Sequence, residues 1–172
     1  MTQPETVAGV QPVRILVAGV GNIFLSDDGF GPEVARRLSS AALPPGVRVV
    51  DYGIRGMHLA YDLLDGYDAL VLLDLVPPCG EPGRISAMEI GADQLGNGEF
   101  DAHGMNPAAM LGNLEKLGGS LPRTVVIGCE PASIEEGIGL SAQVAASVDR
   151  AVDEAVALVG ALHTELSPGG DT

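Results

Sequence analysis

The pattern that most constrains the fold is a short apolar run that ends at a glycine or an aspartate, followed by an amphipathic segment. Apolar runs rich in Val, Ile and Leu are typical of parallel strands that are covered on both faces. Their alternation with helices predicts an α/β fold, a three-layer α/β/α sandwich around a mostly parallel, roughly five-stranded twisted sheet. The predicted strands are Val13–Ala18, Val47–Val50, Ala69–Leu73, Arg84–Glu89 and Thr124–Cys129.

Helix signals lie between and after these runs. Asn106-Pro107 predicts a helix start, with Asn as the cap and Pro in the first turn, and a last helix is predicted to begin near Ser141. Arg84–Glu89 alternates weakly, which favours a strand at the sheet edge. The chain length suits one domain, so we predict a single domain over residues 12–165, with flexible tails at 1–11 and 166–172.

The charge of the chain excludes several classes of partner. A net charge of −14 argues against binding to nucleic acid, whose phosphates need Lys and Arg, and against an anionic membrane surface. The sequence has no run of about 18 apolar residues that could cross a bilayer, and its polar first residues do not resemble a secretion signal. We therefore expect a cytoplasmic protein, and by default a monomer.

The two cysteines do not form a recognised metal or redox motif. Cys79 and Cys129 are far apart in sequence, so no zinc ribbon or CxxC pair is predicted. Two cysteines in a chain of this size are typical of a reduced, intracellular protein. Cys79 adjoins Pro77-Pro78 and Cys129 ends a predicted buried strand, so we interpret both as structural rather than catalytic.

Aspartates occupy the ends of the first three predicted strands. Asp28 follows the first strand across a glycine-rich turn, while Asp51 and Asp74 directly follow the second and third. Ligand sites in open α/β sheets lie beyond the carboxyl ends of the strands, and Asp is a poor strand former. Any one of these residues could be a helix cap or a turn residue, but several at one edge favour a shared site.

One of the three histidines lies where it could join these carboxylates. His58 and His163 fall in predicted helices, whereas His103 lies in a loop, beside Gly104 and just before a helix. Two carboxylates and one imidazole suit a divalent transition metal. Three protein ligands also leave coordination positions for water or a substrate group. Asp28, Asp74 and His103 are therefore a candidate metal site, although the residue types do not identify the metal.

A nucleotide-binding domain is the competing interpretation of the glycine-rich turn. Gly19-x-Gly21 after a strand is similar to the start of a dinucleotide fingerprint, but Phe24 occupies the place of the third glycine. The acidic residue Asp51 also lies about thirty positions on, instead of the roughly twenty that the fingerprint requires. The sequence therefore gives this alternative little support.

Several motifs along most of the chain resemble those of one enzyme family. The run from Gly19 to Gly31 (GVGNIFLSDDGFG) resembles the opening signature of the [NiFe]-hydrogenase maturation endopeptidases, and Leu72-Leu73-Asp74 resembles the third-strand motif of that family. Three further segments resemble its second motif, its histidine motif and its C-terminal block: Asp51–Gly56, His103–Pro107, and Gly128–Pro131 with Gly137–Ser141. Together these matches are far more specific than one glycine pair.

The resemblance implies a phosphorylase/hydrolase-like version of the α/β fold and a processing endopeptidase. Such enzymes remove a C-terminal extension from a hydrogenase large-subunit precursor after nickel insertion. By position, the residues that contact the metal are Asp28, Asp74 and His103, with Asp28 where the family often has Glu. Asp51 corresponds to a residue expected to act in cleavage or substrate placement. The nickel is expected to come with the precursor, without an organic cofactor. An assembly chaperone that binds metal but has no peptidase activity is the alternative.

Overall fold

The computed structural model describes residue 9, residues 11–91 and residues 107–169, with the backbone alone for 107–111. Across these residues strands and helices alternate, as the apolar runs predict. The strands are β1 (Ile15–Val20), β2 (Val47–Gly53), β3 (Ala69–Leu75), β4 (Ile85–Ile90) and β5 (Arg123–Cys129). The helices are α1 (Phe30–Leu38), α2 (Gly56–Leu63), α3 (Pro107–Lys116), α4 (Ala142–Ala145) and α5 (Val148–Leu166).

The strands form one sheet in the order β2-β1-β3-β5-β4. The first three neighbouring pairs are parallel, and β4 is antiparallel to β5 at the edge of the sheet. Because β1 and β3 are parallel neighbours in the middle of the sheet, their carboxyl ends lie side by side. The predictions of a mostly parallel sheet and of an edge strand near Arg84–Glu89 are confirmed.

Helices cover both faces of the sheet, and alternate residues of the central strands point to opposite layers. Ile15 and Val17 of β1 contribute to one core with α1 and α5, whereas Leu16 and Ala18 contribute to the other with α2 and α3. This period of two is the expected geometry of a strand that is buried on both sides. The three-layer prediction is therefore confirmed. Within the part of the chain that the structure describes, no helix has both the length and the apolar character to cross a bilayer.

Several element boundaries near the site differ from the sequence prediction. β1 begins two residues later than predicted and continues through Gly19 to Val20, and Asp51 and Asp74 lie inside β2 and β3 rather than after them. The predicted last helix is divided into α4 and α5, because the Ser147 N–H donates to Val144 O, three residues back. The strand ends nevertheless bring the same residues to the same edge.

Helix α1 packs unusually close to the ends of the central strands. A Cβ atom on Gly19 of β1 would lie 2.5 Å from Gly31 O, and one on Gly31 would lie 2.3 Å from Leu73 O. Neither position has room for a side chain, so glycine at both allows backbone to approach backbone. The start of α1, and with it the preceding turn, is thereby held against the carboxyl ends of β1 and β3.

Candidate active site

The turn between β1 and α1 wraps around the carboxylate of Asp28. Gly21 has φ +143°, and a Cβ atom there would lie 1.9 Å from Asp28 O, so the turn requires glycine. The Asn22 N–H donates to Asp28 Oδ2 at 2.8 Å, and Asn22 Oδ1 accepts from the Phe24 N–H at 2.9 Å. A short 3-10 helix, Ser26–Gly29, then leads into α1. The local sequence thus places Asp28 in a buried position at the end of β1.

Asp74 lies next to Asp28, at the end of β3. Its side chain is only 5% exposed, and its Oδ1 accepts a hydrogen bond from the Leu75 N–H at 2.8 Å. Burial raises the pKa of Asp74 well above its usual value, and the negative charge of Asp28 raises it further, although the Leu75 N–H opposes the shift. The structure therefore brings two of the predicted site residues together, in an environment that disfavours a second negative charge.

Asp51 lies across a groove from the turn that holds Asp28. The groove has a volume of about 290 Å³ and is lined by the turn after β1 and by the segment around the end of β2. Asp51 is exposed there, and its Oδ1 accepts from the Gly53 N–H at 2.9 Å. The Arg55 guanidinium donates to the main-chain oxygens of Asp51 and Tyr52, which fixes this wall of the groove.

Asp27, which the sequence prediction missed, is a heavily hydrogen-bonded carboxylate near the site. It is completely buried, and its oxygens accept four hydrogen bonds from the segment after β5: from the N–H groups of Ala132, Ser133 and Ser141 and from Ser141 Oγ. Burial alone raises the pKa of Asp27, but the donors at Ser133, Ser141 and Ala132 outweigh it and hold the pKa below its usual value. The only local signal was its place beside Asp28.

Glu130 is a second buried carboxylate, and it holds the loop that follows β3. It is 4% exposed, and its Oε1 accepts hydrogen bonds from the N–H groups of Cys79 and Glu81. These bonds tie the loop after β3 to the end of β5. A residue that looked like part of a sequence motif is therefore an anchor for the loop that follows Asp74.

His103 lies in residues 92–106, outside the described residues. Its predicted place beside Asp28 and Asp74 therefore stays a prediction. Among the residues that the structure describes, no three His, Cys, Asp or Glu side chains form a group able to hold a metal ion. The Asp28–Asp74 pair by itself supplies two carboxylate groups.

The motifs, the fold and the strand-end carboxylates agree with the comparison to protein families. Residues 32–158, well over half of the chain, match the family model HycI, described as hydrogenase maturation protease. The chain belongs to the hydrogenase maturation protease family. This assignment confirms the endopeptidase prediction, and it favours that prediction over a chaperone without peptidase activity and over a nucleotide-binding domain.

Individual members of the family show the same relationship. The chain is 30% identical over 161 residues to the hydrogenase 2 maturation protease of Escherichia coli, covering 91% of this chain and 96% of that protein. It is 35% identical over 146 residues to a putative hydrogenase maturation protease of Methanocaldococcus jannaschii, covering 81% of this chain and 92% of that protein.

Solved structures extend the likeness to the fold. The maturating endopeptidase HybD of E. coli superposes with a TM-score of 0.75 at 29% identity, over 87% of this chain and 93% of HybD. The hydrogenase 2 maturation peptidase of a Thaumarchaeota archaeon gives a TM-score of 0.66 at 35% identity, over 86% of this chain and 98% of the other. The α/β architecture of this protease is thus that of known maturation endopeptidases.

The buried thiol of this maturation protease, Cys129, is poorly suited to serve as a nucleophile. Cys129 is completely buried, and burial raises its pKa to about 12, with further contributions from the negative charges of Asp27 and Glu130. Its Sγ donates to Glu130 O, and the exposed Cys79 donates to Pro77 O. A thiol of such high pKa supplies very little thiolate near neutral pH. The carboxylates are therefore the better candidates for the chemistry.

Proposed function

We propose that this protease removes the C-terminal extension of a hydrogenase large-subunit precursor after nickel insertion, and that Asp28, Asp74 and His103 recognise the nickel that the precursor holds. The observation that carries the proposal is the buried pair formed by Asp28 and Asp74 at the carboxyl ends of the central strands. The nickel ion is part of the substrate in this proposal, so the enzyme needs no resident metal and no organic cofactor.

The electrostatics of the pair support cation recognition. Burial and the neighbouring charge of Asp28 both raise the pKa of Asp74, which means that its ionised form is disfavoured in the isolated protein. A divalent cation between the carboxylates would favour the ionised form of both. Two carboxylate oxygens and one imidazole suit nickel, and the remaining coordination positions would be filled by the precursor's own ligands.

The groove beside the pair supports a role for Asp51 in cleavage. Asp51 is exposed on the groove wall, whereas Asp28 is buried and accepts a hydrogen bond from the Asn22 N–H. A general base must lie within hydrogen-bond reach of the water whose proton it takes. We assign that role to Asp51, with nickel positioning the bond and polarising its carbonyl.

Exposed apolar side chains around the groove support a large protein substrate. Phe24 and Ile54 line the groove and are 59% and 63% exposed, Ile23 is 50% exposed, and Ile138 nearby is 81% exposed. Clustered exposed apolar side chains mark surfaces that bind other proteins. We infer that these exposed apolar side chains contact the precursor around the cleavage site. As a separate part of the proposal, the enzyme acts as a monomer in the cytoplasm.

The proposal is tested with purified precursor in two forms, one loaded with nickel and one without metal. Mass spectrometry should show loss of the C-terminal peptide only from the nickel-loaded form. Equal cleavage of both forms would refute nickel recognition while leaving peptidase activity intact. Stable association with the precursor, without release of a peptide, would instead favour the chaperone alternative.

The metal-contacting residues are tested with matched histidine variants. His103→Ala should abolish cleavage, whereas His163→Ala, in the last turn of α5, should cleave at the wild-type rate. Both variants should retain the melting temperature of the parent. A fully active His103→Ala variant would remove His103 from the proposed site.

A further inference from the structure

We propose that Asp27 is a positioning residue of this protease, which holds Asp28 in its working place by tying the turn before α1 to the segment after β5. The inference rests on the proposed function of Asp28. It concerns a residue that touches neither nickel nor peptide in that proposal and that acts through its neighbour.

The bonds of Asp27 connect two parts of the chain that are far apart in sequence. Oδ2 accepts from the Ala132 N–H at 2.8 Å, the Ser133 N–H at 3.0 Å and Ser141 Oγ at 2.9 Å, and Oδ1 accepts from the Ser141 N–H at 2.7 Å. The partners follow Asp27 by 105 to 114 residues. One side chain therefore organises most of an otherwise irregular segment.

The main chain around Asp27 repeats the same connection. The Ser26 N–H donates to Gly137 O at 2.9 Å, the Gly137 N–H donates to Phe24 O at 2.9 Å, and the Asp27 N–H donates to Ser133 O at 3.1 Å. Ser26 Oγ also donates to Glu135 O at 2.7 Å. The turn is thus held from outside by the distant segment.

The conformation of the turn shows why it needs this support. Ser26 has φ +51°, the left-handed region that residues with a side chain rarely adopt. Such a conformation persists only where surrounding contacts enforce it. Asp28 lies two residues later in the same 3-10 helix, so relaxation at Ser26 would move its carboxylate. The Asn22 N–H, which donates to Asp28 Oδ2, reports the position of that carboxylate directly.

Asp27→Asn is the informative variant because it keeps the shape of the side chain and removes one acceptor. In either orientation of the amide, its NH₂ group replaces an oxygen that accepts a hydrogen bond from at least one main-chain N–H. That N–H then has no acceptor. Ser141→Ala is a milder change at Asp27, since it removes the Oγ donor and keeps the Ser141 N–H. It also removes the N-cap of α4, because Ser141 Oγ accepts from the Val144 N–H. Val159→Ala, in the buried face of α5, is the matched control for a general loss of stability.

The experiment measures cleavage of the nickel-loaded precursor and the amide chemical shift of Asn22 in the free enzyme. Asp27→Asn should lower kcat/KM by about 10- to 100-fold, the loss that removal of a supporting partner causes at metal ligands, because Asp28 both recognises the nickel and positions the bond. It should also move the Asn22 resonance towards that of an amide without its hydrogen bond. Ser141→Ala should show smaller changes of both kinds, and Val159→Ala should show neither.

Two results would overturn the inference. One is an Asp27→Asn enzyme that cleaves at the wild-type rate, and the other is a slow enzyme whose Asn22 resonance is unchanged. If Asp27→Asn does not fold, Ser141→Ala decides by the same two measurements. Failure of the proposed function is recognised separately, because Asp28→Asn would then cleave like the wild type; that result also overturns the positioning role.

Discussion

Replacing Gly31 with alanine tests whether the close approach of α1 to the sheet sets the spacing of the two site carboxylates. A Cβ atom at Gly31 would lie 2.3 Å from Leu73 O and 2.4 Å from Val20 O, whereas ordinary contacts begin at 3.4 Å. Both neighbours are main-chain atoms of central strands, which cannot turn aside like a side chain. The start of α1 must therefore withdraw by roughly 1 Å in this tightly packed region.

The expected size of the effect differs between stability and activity. Overpacking of this kind costs about 1–3 kcal/mol, and for a chain of this size each kcal/mol lowers Tm by about 2–4 °C. Tm should thus fall by about 2–12 °C. Because Asp28 precedes α1 and Asp74 directly follows Leu73, the same movement separates their carboxylates. A displacement of about 1 Å can lower a reaction rate about 100-fold.

The assay compares Gly31→Ala with Gly160→Ala, measuring Tm and the initial rate of precursor cleavage well below Tm. A Cβ atom at Gly160 of α5 would meet nothing within 4 Å. That control should gain about 0.5–1 kcal/mol of stability, because alanine suits a helix interior better than glycine, and its rate should be unchanged. A Gly31→Ala enzyme with wild-type kcat would refute the argument that helix packing sets the site.

Further predictions concern the buried carboxylate, the exposed apolar side chains around the groove and the thiols. Because burial raises the pKa of Asp74, the native state loses stability as pH rises from the usual Asp pKa through the raised one. Asp74→Asn should therefore raise Tm at neutral pH, with a gain that shrinks towards pH 4, while cleavage is lost; a gain that is the same at every pH would contradict this. Phe24→Ala should raise KM several-fold and leave Tm unchanged because Phe24 is 59% exposed, whereas Met88→Ala, 40% exposed at the opposite edge of the sheet, should change neither. In native protein a thiol reagent should modify Cys79 quickly and Cys129, with its pKa raised to about 12, only on unfolding. Cys79→Ala should cleave at the wild-type rate, and loss of cleavage would reopen the case for a thiol nucleophile.

The layers of the fold could be predicted because they follow from local pattern. Strands buried on both faces need continuous apolar runs, and such a run precedes Asp74. The exact first and last residues of each strand could not be predicted, since they depend on contacts with residues far away in sequence. Arg14 is left out of β1 because its N–H donates to Asp68 Oδ2 at 2.8 Å. Gly19 looked like the end of that strand, yet it continues the ladder opposite Asp51 and Leu73.

The candidate site could also be predicted only in part. Asp28 and Asp74 could be paired from the rule that ligands gather at the carboxyl ends of parallel strands, and the structure places them together. Asp27 could not be distinguished from a surface residue, because every donor to its carboxylate comes from residues more than 100 positions away. The residues next to Asp27 in sequence do not indicate hydrogen-bond donors that lie so far along the chain.

The long connection made by Asp27 also affects when the enzyme acquires its activity during synthesis. Ribosomes add about 5–20 residues per second, and the early parts of a chain begin to fold first. The signature around Asp28 emerges before the donors of Ala132, Ser133 and Ser141, which follow it by more than a hundred residues. A nascent chain that stops before Ser141 carries the motif without the assembled turn. Interrupted translation of this gene should therefore release fragments that cannot cut other proteins.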